Sequence, residues 1–160
     1  MIGPMDVSVV NPFLNSTIRL FKEMFHINPT YGKPFIVAPN GNHRWEISGI
    51  IGIVGEHEGV IVFRITSLLA QKLLQLSGVS TKDPEETDQV LREMIGEFAN
   101  IISGNAIAEI QHRKIEITPP VVIQGKNHNI SWQFEAPIIG VPFVTSYGPF
   151  EVQICIPYQK

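Results

Sequence analysis

The sequence predicts an α+β fold in which long helices pack on a mostly antiparallel sheet of about six strands. Two capped segments with helical periodicity, near 11–26 and 83–112, are each followed by short runs rich in β-branched residues. With 160 residues, 44% hydrophobic and 17% charged, the chain is long enough to bury one sizeable core. We therefore predict a single domain over 1–160.

The first helix begins at Asn11-Pro12, where a capping side chain precedes the residue that suits the first helical position. It ends near His26, because Asn28-Pro29 cannot continue it. Helical spacing of its apolar residues predicts a buried face made of Phe13, Ile18, Leu20, Phe21, Met24 and Phe25.

Strands follow this helix. A short strand is predicted over 34–37, and the apolar runs over 45–54 and 60–65 predict a hairpin. A short amphipathic helix over 68–76 then ends at Gly78.

The longest helix is predicted over 83–112. Asp83 can cap it, Pro84 suits the first helical position, and Glu86 completes a capping box. Its predicted buried face has helical spacing and consists of Leu91, Met94, Ile95, Phe98, Ile101, Ile102 and Ala108.

The second half repeats the order of the first. Strands are predicted over 115–123, with an interruption at Pro119-Pro120, and then over 131–136, 140–145 and 150–156. At an offset of 85 residues the matching pairs include Phe13 and Phe98, Asn15 and Asn100, Pro34 and Pro119, and Val37 and Val122. We predict an internal duplication with pseudo-repeats of about 11–80 and 83–160.

A polar row lies beside the buried face of the long helix. Its members are spaced four, three and four residues apart and share one line: Glu93, Glu97, Asn100 and Gly104. The two acids repel each other at i,i+4, and no Lys or Arg follows Glu97 within a helical turn. Gly96 and Gly104 flank Asn100, and each costs about 1 kcal/mol relative to Ala. Bare backbone there could admit another surface; alternatively, the glycines serve packing and the acids serve solubility.

The segment Glu97-x-x-Asn100-x-x-x-Gly104-Asn105-Ala106 resembles the signature of the CheX/CheC/FliY chemotaxis phosphatases. The family pattern is Asp or Ser, three residues, Glu, two residues and Asn, so Glu93 departs from it. The resemblance extends over nearly the whole chain, and a single complete motif fits CheX better than CheC. It implies a CheC-like fold and a homodimer, with sheet edges as the contact.

The resemblance also implies an activity, which is removal of the aspartyl phosphate from a phosphorylated CheY-type response regulator. Glu97 would dock onto a lysine of the receiver domain, and Asn100 would orient the attacking water. Glu93, Gly96 and Gly104 would be supporting residues. No cofactor is expected on this chain, and Mg²⁺ is expected on the receiver substrate.

Asn15 marks a degenerate second site. At the 85-residue offset, Pro12 occupies the position of Glu97, while Asn15 matches Asn100. Since proline cannot supply a carboxylate, the first copy should be inactive. The alternative interpretation of Asn15 is a polar residue on a helix surface.

Composition and charge argue against several other functions. A net charge of −3 without a basic stripe argues against nucleic acid, and no stretch reaches membrane-spanning length. No signal-peptide pattern precedes the first helix, so a cytoplasmic location is expected. Cys155 is the only cysteine and should be a small buried strand residue. The five histidines lack the spacing of two ligands on one helix, so no metal site is predicted.

Two other classes of function stay open. The chain could be a non-catalytic module that binds phosphorylated receivers at a motor switch or signalling scaffold. It could also be a duplicated structural domain whose Glu-Asn pair is vestigial. Phosphate release separates the phosphatase from the other two, and receiver binding separates those from each other.

Overall fold

The computed structural model describes residues 10–38, 44–110, 114–126, 128–130 and 136–157. Most of the strand predicted over 131–136 and the predicted helix end at 111–112 lie outside these residues. The elements in chain order are α1 (Val10–Phe25), β1 (Thr30–Tyr31), β2 (Phe35–Ile36), β3 (Ile47–Gly55), β4 (Gly59–Ile65), α2 (Ser67–Leu76), α3 (Pro84–Glu109), β5 (Ile115–Ile117), β6 (Val121–Gln124), β7 (Ile139–Thr145) and β8 (Gly148–Cys155).

The predicted α+β class is confirmed, and all strand pairs of the one sheet are antiparallel. The sheet has eight strands where about six were predicted. Pro119-Pro120 divides one predicted strand into β5 and β6, and β1 is only two residues long and carries too short a pattern to be predicted.

The sheet combines strands from both halves of the chain, and each half contributes edge strands to the other. The β3–β4 hairpin of the first half and the β7–β8 hairpin of the second half join through β4 and β8. The short strands β1 and β2 pair with β7, whereas β5 and β6 pair with β3. Each hairpin is therefore completed by short strands from the other half.

The helices pack on one face of this sheet around a single main core. Side chains alternate along β8, so Phe150, Val152 and Ile154 face the helices. Phe21 of α1 stacks on Phe150 with ring centroids 4.5 Å apart, and it lies 6.3 Å from Phe98 of α3. These contacts hold both long helices on the sheet. No helix among the described residues is long and apolar enough to cross a membrane.

The predicted buried faces are correct for most positions. On α1, Phe13, Leu20, Phe21 and Phe25 are buried, but Met24 near the helix end is 49% exposed. On α3, Ala108 is exposed, so its assignment to the core was wrong. Both errors fall in the last turn of a helix.

The opposite face of the sheet holds a buried polar cluster that the sequence did not predict. Arg64 and Glu151 are cross-strand neighbours on β4 and β8, and each is at least nine-tenths buried. Arg64 Nε donates to Ser48 Oγ at 3.0 Å, and Gln153 Nε2 donates to Glu151 Oε2 at 2.6 Å. Burial lowers the pKa of Arg64, and the charge of Glu151 opposes this shift. Cys155 is also buried here, as predicted, and burial raises its pKa to about 11.

Glu151 should make stability depend on pH. Burial raises its pKa above the ordinary value of 4.5, although the hydrogen bond from Gln153 and the charge of Arg64 oppose the shift. Its contribution is therefore complete below the unfolded-state pKa and is lost as pH rises through the folded-state value. In the wild type, the ionisation of Glu151 should lower the free energy of unfolding by at most about 1.4 kcal/mol per pH unit as the pH rises. In Glu151→Gln, which has no ionisable group at this position, this pH dependence should be absent.

Denaturant unfolding at pH values from 4 upwards would test this prediction, with Glu116→Gln, at the exposed position of β5, as the matched control. The difference between wild type and Glu151→Gln should change with pH, and the Glu116→Gln difference should change less. Parallel curves for wild type and Glu151→Gln would contradict the prediction.

Candidate functional site

The helix that carries the predicted site is capped as expected. Asp83 has an extended backbone, and its Oδ1 accepts a hydrogen bond from the backbone N–H of Glu86 at 2.8 Å. The Glu86 side chain accepts a hydrogen bond at Oε2 from the backbone N–H of Lys82, the residue before the cap, at 3.4 Å. From this start α3 runs for 26 residues. The predicted cap therefore fixes where the helix begins.

Close contacts on the sheet side fix the rotation of α3. A Cβ added to Gly49 of β3 would lie 3.0 Å from the Ile95 carbonyl oxygen, so glycine lets the helix approach the sheet. On β6, Gln124 Oε1 accepts from Arg92 Nη1 at 2.7 Å, while Gln124 Nε2 donates to Asp88 Oδ1 at 3.4 Å. These bonds anchor the first half of the helix to β6.

Arg92 explains why Glu93 and Glu97 have no cation on their own helix. It is the only Lys or Arg in the helix, and its side chain is held against β6 by Gln124. Glu93 and Glu97 are both exposed. Within the described part of the chain, neither forms an ion pair or a hydrogen bond.

Asn100 lies half-buried on the same outward side of α3, between the buried residues Ala99 and Ile102 and one turn beyond Gly96. Its amide has no hydrogen-bond partner among the residues that the structure describes. Burial of Phe98 and Ala99 fixes the helix face, so Glu97 and Asn100 both point outward. The predicted row therefore lies on the outward side of α3, and within the described residues its two acids and its amide have no partner.

The two glycines that flank Asn100 differ. Gly96 is buried, and a Cβ there would lie 3.1 Å from Val122 Cγ2 and 3.7 Å from Pro120 Cγ. Bare backbone at Gly96 was thus a wrong expectation, because this glycine serves packing against β6. A Cβ at Gly104 would meet no atom of the described residues within 4 Å, so this part of the structure leaves the backbone open there.

Pro120 borders the site and was missed in the sequence. It is exposed and lies beside Gly96, one turn before Asn100. The signal that could have found it is the period of two along β6, where Gln124 and Val122 face α3 and position 120 continues the alternation. Its rigid ring forms an apolar border beside the polar row.

Asn15, the predicted degenerate second site on α1, lies apart from Asn100. Arg19 Nη2 is 3.5 Å from Glu109 Oε1, while the Phe25 and Phe98 rings are 5.7 Å apart, so α1 and α3 run antiparallel. Asn15 precedes Arg19 by one turn and lies toward the Glu109 end, whereas Asn100 is about 13 Å before that end. Asn15 is exposed and lines an open groove of about 560 Å³ along α1. The structure does not bring the two asparagines together.

Among the described residues, no group of three or more His, Cys, Asp or Glu side chains is arranged to hold a metal ion. What the α3 surface offers is therefore a carboxylate and an amide on a rigid helix. A carboxylate can bind a cation, and an amide can orient a water molecule.

Residues 47–144 match the model of a protein family described as chemotaxis phosphatase CheX. The matched region covers more than half of the chain and includes all of α3. This chain belongs to the CheX family. The family resemblance of the motif on α3 is thereby confirmed. The CheC-like fold is also confirmed, because the crystal structure of a CheC-like superfamily protein from Shewanella sp. PV-4 has a TM-score of 0.83 at 28% identity, with coverage of 96% of this chain and 100% of that one.

Other CheX proteins are similar over most of their length. The CheY-P phosphatase CheX of Thermotoga maritima is 27% identical over 128 residues, which is 79% of this chain and 81% of that protein. The crystal structure of CheX from Desulfovibrio desulfuricans has a TM-score of 0.82 at 29% identity, and the match covers 93% of this chain and 99% of that one. CheX in the CheX–CheY–BeF₃–Mg²⁺ complex of Borrelia burgdorferi has a TM-score of 0.75 at 26% identity, with coverage of 97% and 100%.

Proposed function

We propose that this CheX protein hydrolyses the aspartyl phosphate of a phosphorylated CheY-type receiver domain. The observation that carries the proposal is the pair on the outward side of α3, in which the exposed Glu97 and the half-buried Asn100 have no partner within the described part of the chain. The T. maritima relative is a CheY-P phosphatase, and the B. burgdorferi relative forms a complex with CheY, BeF₃ and Mg²⁺. Both relatives support a phosphorylated receiver as the partner.

Glu97 would fix the docked position. Its carboxylate is exposed and lacks an internal cation, so it can accept a charge-assisted hydrogen bond from a lysine of the receiver. Because α3 is anchored through Gln124 and packed closely at Gly49, this contact also sets the orientation of the helix face. Docking therefore determines where Asn100 lies relative to the phosphoryl group.

Asn100 would hold the attacking water in line with the phosphorus. An amide can bind water without bringing negative charge toward the phosphoryl oxygens, which a carboxylate would do. The water oxygen bonds to phosphorus while the bond to the aspartyl oxygen breaks, which releases phosphate and restores the receiver's aspartate. Mg²⁺ on the receiver would stabilise the phosphoryl charge. Catalysis here is by orientation, with no covalent intermediate on this chain.

The proposal is tested by phosphate release from the phosphorylated receivers of the same genome, measured with and without this chain. Faster release from at least one receiver is expected. Binding to a BeF₃⁻-loaded receiver without faster release would favour the non-catalytic module instead. If the chain neither binds a receiver nor accelerates phosphate release, the remaining interpretation is a structural domain whose Glu-Asn pair is vestigial. Under the proposal the chain works in the cytoplasm together with its receiver.

We also propose a homodimer that forms at the β1–β2 edge of the sheet. Large apolar side chains concentrate there, with Tyr31 52%, Phe35 42% and Ile36 70% exposed. Val144 of the adjoining strand β7 is also exposed, at 56%. An exposed edge with apolar side chains favours pairing with another chain.

Ile36→Lys should convert the dimer to a monomer, because a charge would be buried at the centre of the paired edges. Light scattering across a concentration series measures the mass, and Val121→Lys, at the opposite edge of the sheet, is the control. A monomeric wild type, or a dimer that survives in Ile36→Lys, would show that this edge is not the interface.

A further inference from the structure

Gly104 has no role in packing within the described chain. It lies inside α3, five residues before the helix ends, where glycine is less stable than alanine. A Cβ at this position would meet nothing within 4 Å. Alanine would therefore fit without strain, and the fold gives no reason for its absence.

Gly96 on the same helix provides the contrast. There a Cβ would press on Val122 of β6 at 3.1 Å, so packing accounts for the glycine. The helix thus contains one glycine that its own fold requires and one that it does not. Nothing in the described part of the chain accounts for Gly104, and a contact with a partner would account for it.

The other half of the chain supports the same conclusion. At the 85-residue offset, the position of Gly104 is occupied by Arg19 on α1. Arg19 is exposed and forms an ion pair with Glu109 of α3 at 3.5 Å, so a long side chain is tolerated at this helix position. The half that has Pro12 in place of the acid carries the long side chain, and the half with Glu97 and Asn100 carries bare backbone.

We infer that Gly104 is a docking contact, where the surface of the receiver rests directly on helix backbone one turn beyond Asn100. This inference rests on the proposed function and makes it more specific, because it places the receiver along the second half of α3. Gly104 is a positioning residue: it does not touch the reacting atoms, and it sets how closely the receiver approaches Asn100. A methyl group there would hold the two surfaces apart.

Gly104→Ala should change stability and binding in opposite directions. The melting temperature should rise by about 2–4 °C because the helix gains alanine. Affinity for the receiver that wild type dephosphorylates fastest, loaded with BeF₃⁻ and Mg²⁺, should fall about tenfold, because the added methyl overpacks the interface. The value of kcat/KM for phosphate release should fall with it.

Ala108 offers a matched control, since it is exposed on α3 one turn further on. Ala108→Gly should lower the melting temperature and leave receiver affinity unchanged. The double variant Gly104→Ala, Ala108→Gly exchanges the two residues, so its melting temperature should be close to that of wild type while its affinity stays low. Helix stability and docking are thereby measured separately.

The outcomes distinguish this inference from the proposed function. A wild-type chain that dephosphorylates no receiver would overturn the proposed function and this inference with it. An active wild type combined with wild-type affinity in Gly104→Ala would overturn this inference alone. Equal losses of affinity in Gly104→Ala and Ala108→Gly would also overturn it, because the effect would then follow any change in this part of the helix.

Discussion

Replacing Asn100 by alanine should reduce the stimulated release of phosphate at least about 100-fold. The substitution removes the amide that would orient the attacking water, while Glu97 and the docking face stay intact. Asn100 is half-buried and has no hydrogen-bond partner within the described residues, so its loss should leave folding largely unaffected. Phosphate release under single-turnover conditions measures the effect, and binding to the BeF₃⁻-loaded receiver should remain near the wild-type level.

Asn15→Ala is the matched control, because it makes the same change at the equivalent position of the first half. Pro12 has already removed the acid there, so the release rate should change little. A loss comparable to that of Asn100→Ala would mean two working sites, as in CheC. Near-normal release by Asn100→Ala would show that the proposed mechanism is wrong.

Reversing the charge of Glu97 should have the second large effect. Glu97→Gln loses a charge-assisted hydrogen bond worth on the order of 1.5–3 kcal/mol, which weakens receiver binding by about 10- to 150-fold. Glu97→Lys adds repulsion from the receiver's lysine and should be worse. Both variants should be at least as stable as wild type, since each relieves the repulsion between Glu93 and Glu97 by a few tenths of a kcal/mol.

Glu93→Lys tests whether the effect belongs to Glu97 itself. It makes the same change of charge one turn earlier on the same exposed face and relieves the same repulsion. Its stability should rise equally, but its loss of activity should be smaller. Thermal unfolding and phosphate release on the same preparations decide between the two. Unchanged release in Glu97→Lys would leave this face of α3 without a function.

Much of the fold was predictable because local pattern determines local structure. The cap at Asp83, the helical period of α3 and the β-branched runs of both hairpins specified their elements to within a few residues. Where each side chain ended up depended on what packed against it from elsewhere. Gly96 and Gly104 lie on the same helix, four residues before and after Asn100, yet of the two only Gly96 has contacts with β6 among the described residues. That distinction requires the tertiary structure.

The exchange between the two halves was likewise beyond the sequence. Repetition predicted two similar units, but not that each would complete the other's sheet. Nor could it show that Arg64 and Glu151 would be buried side by side, since charged residues in strands usually face water. At the site, the sequence predicted the polar row on α3. The structure added Pro120 beside Gly96 and showed that Arg92 is held against β6 by Gln124.

The pairing of each hairpin with short strands from the other half also limits which parts of the chain could be deleted during evolution. If the pieces 11–80 and 83–160 were separated, each would leave a hairpin without its outer strands and a central strand, β4 or β8, without a neighbour. Neither piece would be expected to fold alone, because long-range pairings that close the core would be missing. If the first half does no chemistry, as the proline at position 12 predicts, it would still be indispensable as scaffold. A deletion of that half would cost the proposed site on α3 its support.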